Sequence, residues 1–544
     1  MRKIADIAVL SLLLWATASD AWAGEGARGP DAAVPGIFHR SAAVHGLYVI
    51  ESGELSNEDW HLATVVQGMA SRGEPSIYLV NRKSESRGDE VLLDFYEQEY
   101  GIRVLGEITV QEALNKFAGL FQGYALFSFA EPWTVNVADT WCSIHDCLPV
   151  TPEQEALARE AGLKKAGDFR GRFRDARDAI DWSLKELFPY CSIKTVASLS
   201  PRNHTCRDYL FAHRIFTFYL TASGRDYFVL SGLLKKMPRD IPTMGYIARS
   251  GPEEWIVEYT LAASSKFMAP TDLVPNLTVH SGIPIMPLPE SAPEADPPDL
   301  RGKLGVVFAF TDGDNLFIES ERYLKADSWL CPERGKIKAA WSFAPELYEL
   351  APGIMRYYYE TRTDNDFFVA LSGAGYTFTS AFRDQEFFRD VSIDYMKLTG
   401  MDVLWSLDPL LYVPLGRGVI GAALGPLGRD PWIKGLLAGY APPITMQRWS
   451  HPRGYPPILF SQTNYYEDQN KTLAAKLKAE AAYIPPRGKV VFYGLNGWAV
   501  GYDDLISVLA GLHRDDIILL SPREAAAVIE QWGAGKNLTS VSEL

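Results

Sequence analysis

Seven short apolar runs recur through the C-terminal half of this 544-residue chain, with helical patches between them. Such runs predict buried parallel strands, because a strand covered by helices on both faces is apolar throughout. Their number and rhythm over about 240 residues match a (β/α)8 TIM-like barrel, and a doubly wound open sheet is the competing architecture. We expect the eighth strand near Ile420 or Ile444. The runs are Leu304–Phe310, Ile337–Phe343, Phe367–Leu371, Val403–Leu407, Pro457–Phe460, Val490–Tyr493 and Ile517–Leu520.

The N-terminal half also alternates between strands and helices. Gly46–Ile50 is predicted to be a strand, residues 58–71 a helix and Ser76–Val80 a second strand, and this βαβ unit implies parallel pairing. A helix over 89–100 and a strand over Ala125–Phe129 continue the pattern. Helices at Asp178–Phe188 and Ile256–Lys266, with a strand at Tyr227–Leu230, indicate that a second lobe begins at about residue 150. The fold class is therefore α/β, with one or two N-terminal lobes before the barrel.

A proline-rich segment separates the two halves. Six prolines fall between residues 284 and 298, a density that excludes helix and most sheet. The predicted organisation is a flexible segment at 24–44, an N-terminal α/β region at 45–283, a linker at 284–302 and a barrel-like domain at 303–544.

The N-terminus has the order of a secretory signal peptide over residues 1–23. Arg2 and Lys3 precede the apolar stretch Ile7–Ala18, and Ala21-Trp22-Ala23 offers a small-x-small cleavage site. The apolar stretch is shorter than the ~20 residues that span a bilayer, and no later segment is long enough. We expect a secreted or periplasmic protein with no transmembrane segment after cleavage.

The net charge and the cysteines limit which partners and cofactors the protein can bind. The net charge of −14 argues against nucleic acid, whose binding depends on clustered Lys and Arg, and a neutral substrate fits better. In an oxidising compartment we expect Cys142 to pair with Cys147 and Cys191 with Cys206, leaving Cys331 as a buried thiol. No Cys-x-x-Cys pair is present, so the sequence predicts neither a cysteine metal site nor a cofactor. It leaves the oligomeric state open.

The sharpest candidate for chemistry is Thr311-Asp312-Gly313-Asp314-Asn315, directly after the first C-terminal apolar run. The carboxyl ends of barrel strands form the active-site face, so Asp312 and Asp314 are candidate catalytic acids. Asn315 is a candidate sugar ligand. A strand-to-helix corner, in which Asp and Asn only cap the helix, is one alternative, and a calcium site of the same oxygens is another.

Other strand-end residues could complete the site. Asp408 follows Trp405-Ser406-Leu407 and is predicted to be the catalytic partner of Asp312, whereas Glu346, after Pro345, is expected at the start of a surface helix. Sugars pack their C–H faces on aromatic rings, and polar loop residues fix their orientation. The predicted substrate-binding residues are Asn315, Gly373, Gly375, Tyr376, Trp405, Trp449, Asn496 and Trp498.

Three segments carry a resemblance to a known family. Gly373-Ala374-Gly375-Tyr376 after Asp364-Asn365-Asp366, the strand end at 311–315, and Val66–Met69 ahead of Pro75–Leu79 resemble the GxGYxYP family of putative glycoside hydrolases. The likeness spans residues 45–540 and implies action on sugars. The chain departs from the motif at Phe378 and Thr379, where the family has Tyr and Pro. A changed substrate or weaker activity is the implied consequence.

Two functions therefore follow from the sequence. The first is a glycoside hydrolase in which one carboxyl group protonates the glycosidic oxygen while another activates water or attacks the sugar. The second is a non-catalytic carbohydrate-binding or cell-surface protein on a degenerate barrel. Under the first, we expect Asp312, Tyr376 and Asp408 to share one cleft.

Overall fold

The computed structural model describes residues 34–220, 224–247, 252–289, 296–412, 417–439, 448–512, 514–533 and 537–538. Residues Ile37–Leu544 form one compact unit of mixed α/β architecture. The predicted signal peptide lies outside the described residues, as does Ile444. The predicted domain boundaries stay a prediction. No described helix is both long and apolar enough to cross a membrane.

Three small parallel sheets build the N-terminal half. The first has the order β2-β1-β3, the second β5-β4-β6 and the third β10-β9-β7-β8. Strand pairing within each sheet is parallel, as the βαβ pattern predicts. The strands are β1 Gly46–Glu51, β2 Ile77–Val80, β3 Arg103–Glu107, β4 Gly123–Leu126, β5 Cys147–Val150, β6 Lys165–Asp168, β7 Val196–Ser198, β8 Phe216–Phe218, β9 Ile241–Gly245 and β10 Lys266–Ala269.

A ten-stranded sheet forms the C-terminal half. All seven apolar runs are confirmed as strands, and a short eighth parallel strand, Gly435–Ala438, was not predicted because it is only four residues long and lacks β-branched side chains. The strands are β11 Leu304–Phe310, β12 Ala339–Phe343, β13 Asp366–Leu371, β14 Val403–Ser406, β15 Gly435–Ala438, β16 Trp449–Ser450, β17 Ile458–Phe460, β18 Lys489–Leu495, β19 Ile517–Leu519 and β20 Asn537–Leu538.

The parallel strands curl toward closure, but the regular eight-stranded barrel order is not confirmed. The order is β18-β11-β12-β13-β14-β15-β17, and a parallel bridge from Ser461 to Phe492 brings β17 back to β18. The last strand, β19, pairs with the first half of β11, while β12 pairs with its final residues. The antiparallel β16 similarly lies beside β17. On this side, β11 therefore lies beside β19 at its amino end and beside β12 at its carboxyl end.

Seventeen α-helices are described, and two predicted strands fall inside them. Tyr227–Leu230 lies in α8, where Leu230, Leu233 and Leu234 are buried at helical spacing, and Ile420 lies in α14. A short apolar run is ambiguous between strand and helix, which explains both errors. The helices are α1 Asn57–Ala70, α2 Gly88–Tyr100, α3 Val110–Phe117, α4 Trp133–His145, α5 Glu155–Glu160, α6 Ala176–Glu186, α7 Arg207–Ala212, α8 Gly224–Lys236, α9 Pro252–Ala263, α10 Leu277–Gly282, α11 Leu347–Leu350, α12 Pro352–Thr361, α13 Gln385–Thr399, α14 Arg417–Leu424, α15 Gln469–Ala481, α16 Tyr502–Ala510 and α17 Pro522–Trp532.

The cysteines differ from the prediction. All five are buried free thiols, so the expected disulfides from Cys142 to Cys147 and from Cys191 to Cys206 are absent from the structure. Cys206 instead lies 3.4 Å from the hydroxyl oxygen of Thr271, and Cys191 lies 3.4 Å from the carbonyl oxygen of Leu187. Cys331 is buried, as expected.

Candidate active site

The carboxyl ends of the parallel C-terminal strands form a mouth, defined here as the loops that begin at residues 311, 344, 372, 407, 461 and 496. Two non-glycine residues there have left-handed backbone conformations: Asp312 with φ 70° and Ser372 with φ 61°. Each such residue costs on the order of 1 kcal/mol or more, and such strain clusters at functional sites. The mouth is therefore a candidate active site.

Asp312 lies half-buried at the end of β11. The Thr311 hydroxyl donates to its Oδ2 at 2.9 Å, and the Tyr465 hydroxyl lies 3.5 Å from its Oδ1. Position 313 requires glycine because the backbone passes close to β12 there. A Cβ atom on residue 313 would lie 1.7 Å from the carbonyl oxygen of Ser342. The Asp-Gly-Asp run thus turns sharply while it holds the first carboxylate at the mouth.

Three further carboxyl groups lie behind Asp312. Asp314, Glu319 and Glu346 are all buried, and both Glu319 and Glu346 lie within electrostatic reach of Asp314. Burial raises the pKa of Glu346 well above its ordinary value, and the negative charge of Asp314 raises it further. Burial likewise raises the pKa of Glu319, against a 2.9 Å hydrogen bond from the Ala344 backbone N–H. We call these three residues the acid cluster.

Glu346 corrects a sequence expectation. The acid expected at the start of a surface helix is fully buried, and apart from its own backbone amide both of its carboxyl oxygens lack a hydrogen-bond partner within the described ranges. Glu346 lies three residues after the end of β12, as Asp312 lies two residues after the end of β11, and this strand-end placement was the signal in the sequence. A buried carboxyl group with no cation beside it is kept in the protonated, neutral form.

A π-helix over Ile318–Arg322 supplies Glu319. π-Helical turns are rare and concentrate at functional sites, because the wider turn re-aims side chains that an α-helix would direct elsewhere. Here it directs Glu319 toward Ala344 at the end of β12. The spacing of the sequence gave no signal for this turn.

Asp408 lies at the end of β14 and is fully buried. Its carboxyl oxygens accept from the backbone N–H groups of Ser380, at 2.7 Å, and Leu410, at 3.0 Å. Burial raises its pKa to about 6, against these two hydrogen bonds. Its strand-end position agrees with the prediction, whereas its partnership with Asp312 stays a prediction.

The Gly-x-Gly-Tyr loop joins the mouth to the N-terminal half. Tyr376 and Met268 of β10 exchange two backbone hydrogen bonds of 2.8 Å. Gly375 has φ 151°, and a Cβ there would lie 2.5 Å from the Phe267 ring, while one on Gly373 would lie 2.6 Å from the Ser392 hydroxyl. Both glycines are therefore required for close packing, and their predicted contact with substrate is untested.

The two departures from the motif fit their surroundings. Phe378 is buried against Tyr376, with ring centroids 6.1 Å apart, and against Trp255 at 6.4 Å. A tyrosine at this position would need a partner for its hydroxyl group, which phenylalanine does not. Thr379 begins a short 3-10 helix over Thr379–Ala381, where a proline would also fit.

The predicted aromatic residues divide into exposed and buried groups. Trp498 is 38% exposed and stacks on Phe317 at 5.7 Å, and Tyr465 packs edge-on against the exposed Tyr466 at 5.1 Å. The two tyrosines were not predicted, although they follow the end of β17. In contrast, Trp405 and Trp449 are completely buried, Trp405 within β14, where its indole N–H donates to the Gly439 carbonyl.

Asn315 and Asn496 shape their own loops. The side-chain oxygen of Asn315 accepts from the Phe317 backbone N–H at 3.1 Å, and that of Asn496 accepts from Trp498 at 2.9 Å. Among the described residues, no group of three or more His, Cys, Asp or Glu side chains is arranged to hold a metal ion. The chemistry that the mouth offers is that of carboxyl groups beside aromatic rings.

Comparisons with known proteins identify the family and the fold of this chain. Models of the GxGYxYP family match at three places: the second N-terminal domain at residues 121–191, the third domain at 193–282, and the putative glycoside hydrolase C-terminal domain at 302–411. A crystal structure of a putative hydrolase from Bacteroides thetaiotaomicron shares the fold, with a TM-score of 0.76 and 20% identity over 93% of this chain and 99% of that one. No curated protein matches the chain. The chain belongs to the GxGYxYP putative glycoside hydrolase family.

Proposed function

We propose that this protein is a glycoside hydrolase that cleaves glycosidic bonds of an extracellular or periplasmic glycan by carboxylate acid/base chemistry. The observation that carries the proposal is that a half-buried carboxylate, Asp312, and the acid cluster occur at the ends of the neighbouring strands β11 and β12. Glycosidases use two carboxyl groups whose environments keep one protonated and one ionised.

The roles of the four carboxyl groups follow from how accessible each one is to substrate. Asp312 is half-buried and Asp314 retains 6% exposure, whereas Glu319 and Glu346 are completely enclosed. Asp312 and Asp314 are therefore the groups that contact the sugar, one protonating the glycosidic oxygen and the other activating water or attacking the ring. Glu346 and Glu319 are too deeply buried to touch substrate and act as positioning residues, which keep protonated carboxyl groups next to Asp314. Tyr465 orients Asp312, and Trp498 and Tyr466 offer rings to the sugar.

Release of reducing ends from a panel of polysaccharides tests the proposal. We expect Asp312→Asn and Asp314→Asn each to lower kcat/KM by about 10²- to 10⁴-fold, the range that acid/base groups supply. Asp394→Asn is the matched control, since Asp394 is an exposed acid on α13. Full activity in both site variants would show that the chemistry lies elsewhere.

The second candidate is a non-catalytic carbohydrate-binding or cell-surface protein. Phe378 and Thr379 favour it, because they replace the two residues that close the family motif. Long incubation separates the two candidates: polysaccharide binding with no new reducing ends favours the binding protein.

Export is the remaining part of the proposal and rests on the sequence of residues 1–23. Expression in a bacterial host followed by mass spectrometry of the periplasmic fraction tests it. We expect a mature chain that begins at Gly24, and a cytoplasmic product that retains Met1 would contradict export.

A further inference from the structure

A second aromatic surface lies on the far side of the mouth from Trp498 and Tyr466. It belongs to the N-terminal half and is formed by one face of α9, where Trp255 is 45% exposed, Ile256 43% and Tyr259 38%. We call these three residues the α9 platform. Exposed large apolar side chains that lie together mark a binding surface rather than chance.

Contacts join the α9 platform to the mouth. Trp255 packs edge-on against Phe378 in the loop after β13. Burial raises the pKa of Tyr259, and the negative charge of Asp408 after β14 raises it further, which requires the two side chains to be near each other. The Arg383 backbone N–H donates to the Ala262 carbonyl at 3.2 Å and fixes the end of α9 on the same loop.

Strand order then gives the line along which a ligand would lie. The order β17-β18-β11-β12-β13-β14 places Tyr466 and Trp498 at one end, the carboxyl groups of β11 and β12 in the middle, and the α9 platform beyond β13 and β14. Three strand spacings separate β18 from β13, about 14 Å along the sheet edge. A single sugar covers only part of that path, whereas a chain of several sugars covers it and both aromatic groups.

We propose that the α9 platform binds the extension of a glycan chain whose scissile bond lies at Asp312 and Asp314, so that the substrate is a polysaccharide bound across the mouth rather than a terminal sugar. This inference rests on the proposed function. A neutral polysaccharide suits the platform because its rings present flat C–H faces to indole and phenol rings. A second copy of this chain is the alternative occupant.

Affinity gel electrophoresis tests the proposal without requiring hydrolysis. The protein is the full chain carrying Asp314→Asn, and the probes are soluble xylan, laminarin, galactomannan and hydroxyethylcellulose. We expect at least one polysaccharide to retard this protein, and the addition of Trp255→Ala and Tyr259→Ala to weaken the association about tenfold, since each ring contributes about half of one order of magnitude.

Matched variants separate stacking from misfolding. Tyr259→Phe retains the ring and should bind like its parent. Tyr190→Ala removes a tyrosine that is more exposed than Tyr259 (68% against 38%) and that precedes β7 instead of lying on α9. This variant should also bind like its parent. Retardation of the Trp255→Ala/Tyr259→Ala protein equal to that of its parent, or no retardation by any of the four probes, would overturn the proposal.

Two further measurements distinguish the ways of failing. If sedimentation shows a dimer that Trp255→Ala disrupts, the platform binds a second copy and the proposal is wrong. If the wild-type protein binds the polysaccharide through the α9 platform but releases no reducing ends, the binding proposal is supported and the hydrolase function is wrong. If the wild-type protein hydrolyses short oligosaccharides, and Trp255→Ala changes the affinity for neither polysaccharide nor oligosaccharide, the hydrolase function is supported and the binding proposal is wrong.

Discussion

Two buried acids in this protein occupy opposite electrical surroundings. Asp139, on α4 of the N-terminal half, accepts from the His61 ring at 2.9 Å and pairs with the buried Arg207. Burial opposes its ionisation, but the charges and hydrogen bonds of His61 and Arg207 outweigh burial and lower the pKa of Asp139. Glu346, in the acid cluster, is buried more deeply and has another acid, Asp314, within electrostatic reach. Burial, and then the charge of Asp314, raise the pKa of Glu346.

The difference separates two uses of a buried carboxyl group. A charge that is fully paired in a protein interior holds neighbouring elements together, and Asp139 joins α1, α4 and α7 in this way. A carboxyl group that is buried without a cation contributes little to folding stability, and a strongly raised pKa at a strand end is typical of a chemical role. The comparison predicts that replacing the carboxyl group by its isosteric amide costs much more stability at Asp139 than at Glu346.

Asp139→Asn should give the largest loss of stability. The substitution leaves the buried Arg207 guanidinium without its anion, and breaking a buried pair by removing one partner costs about 3–5 kcal/mol in the free energy of unfolding. Urea denaturation at pH 7, followed by circular dichroism, measures the loss. A change below about 1 kcal/mol would show that Asp139 is replaceable and would break the comparison.

Glu346→Gln is the matched substitution in the acid cluster. It replaces a neutral carboxyl group by a neutral amide of the same shape, so the free energy of unfolding at pH 5 should change by about 1 kcal/mol or less. A loss as large as that of Asp139→Asn would mean that Glu346 is a structural residue with a partner that its geometry conceals.

The acid cluster should make stability depend on pH. Because the folded pKa values of Glu319 and Glu346 are raised, their contribution is complete below the unfolded pKa near 4.5 and is lost as the pH rises through the folded values. Each group then lowers the free energy of unfolding by up to about 1.4 kcal/mol per pH unit. Urea midpoints from pH 5 to pH 8 should fall less steeply for Glu346→Gln than for wild type, while Asp394→Asn should follow wild type. Parallel curves for Glu346→Gln and wild type would contradict the raised pKa.

Gly375→Ala tests the junction between the two halves. The added methyl group would meet the Phe267 ring at 2.5 Å, so we expect destabilisation of about 1–3 kcal/mol, the range for overpacking. Gly454→Ala is the matched control, because Gly454 also has positive φ but no atom within 4 Å of its added Cβ, and it should lose about 1 kcal/mol. Equal losses in thermal unfolding would mean that backbone strain alone requires glycine at 375.

The sequence predicted those elements that a pattern within a few consecutive residues indicates. Seven strands and the strand-end position of Asp312 followed from apolar runs and their termination. Tyr227–Leu230 was wrong because four apolar residues do not distinguish the face of a helix from a strand. The insertion of β19 beside β11 depends on pairing between residues more than 200 positions apart, which no local pattern reports.

The candidate site divides in the same way. Asp312 and Asp314 were predicted because two acids follow one strand, and their catalytic role stays a prediction. Glu346 was assigned to a surface helix because its burial depends on the π-helix and on β12. Trp405 and Trp449 were expected near sugars from their position at strand ends, but each ring points into the core. Position along a strand is readable from sequence, while the direction of a side chain at its end requires the neighbouring strands.

Asp408→Asn should have the smallest effect on hydrolysis among the carboxyl groups at the mouth. Both of its oxygens already accept backbone N–H groups, from Ser380 and Leu410, so an amide can replace only one acceptor and the loop after β14 keeps part of its anchor. We expect kcat/KM to fall less than about tenfold, against 10²-fold or more for Asp314→Asn.

The pH dependence of the rate tests the role of Asp408 separately, because its pKa of about 6 fixes the limb of the pH–rate profile that it would control. A catalytic base with that pKa would give wild type an acid limb near pH 6, which Asp408→Asn would abolish along with most of the rate. If that limb persists in the variant with its rate nearly intact, Asp408 anchors the loop, and the partner of Asp312 lies in the acid cluster.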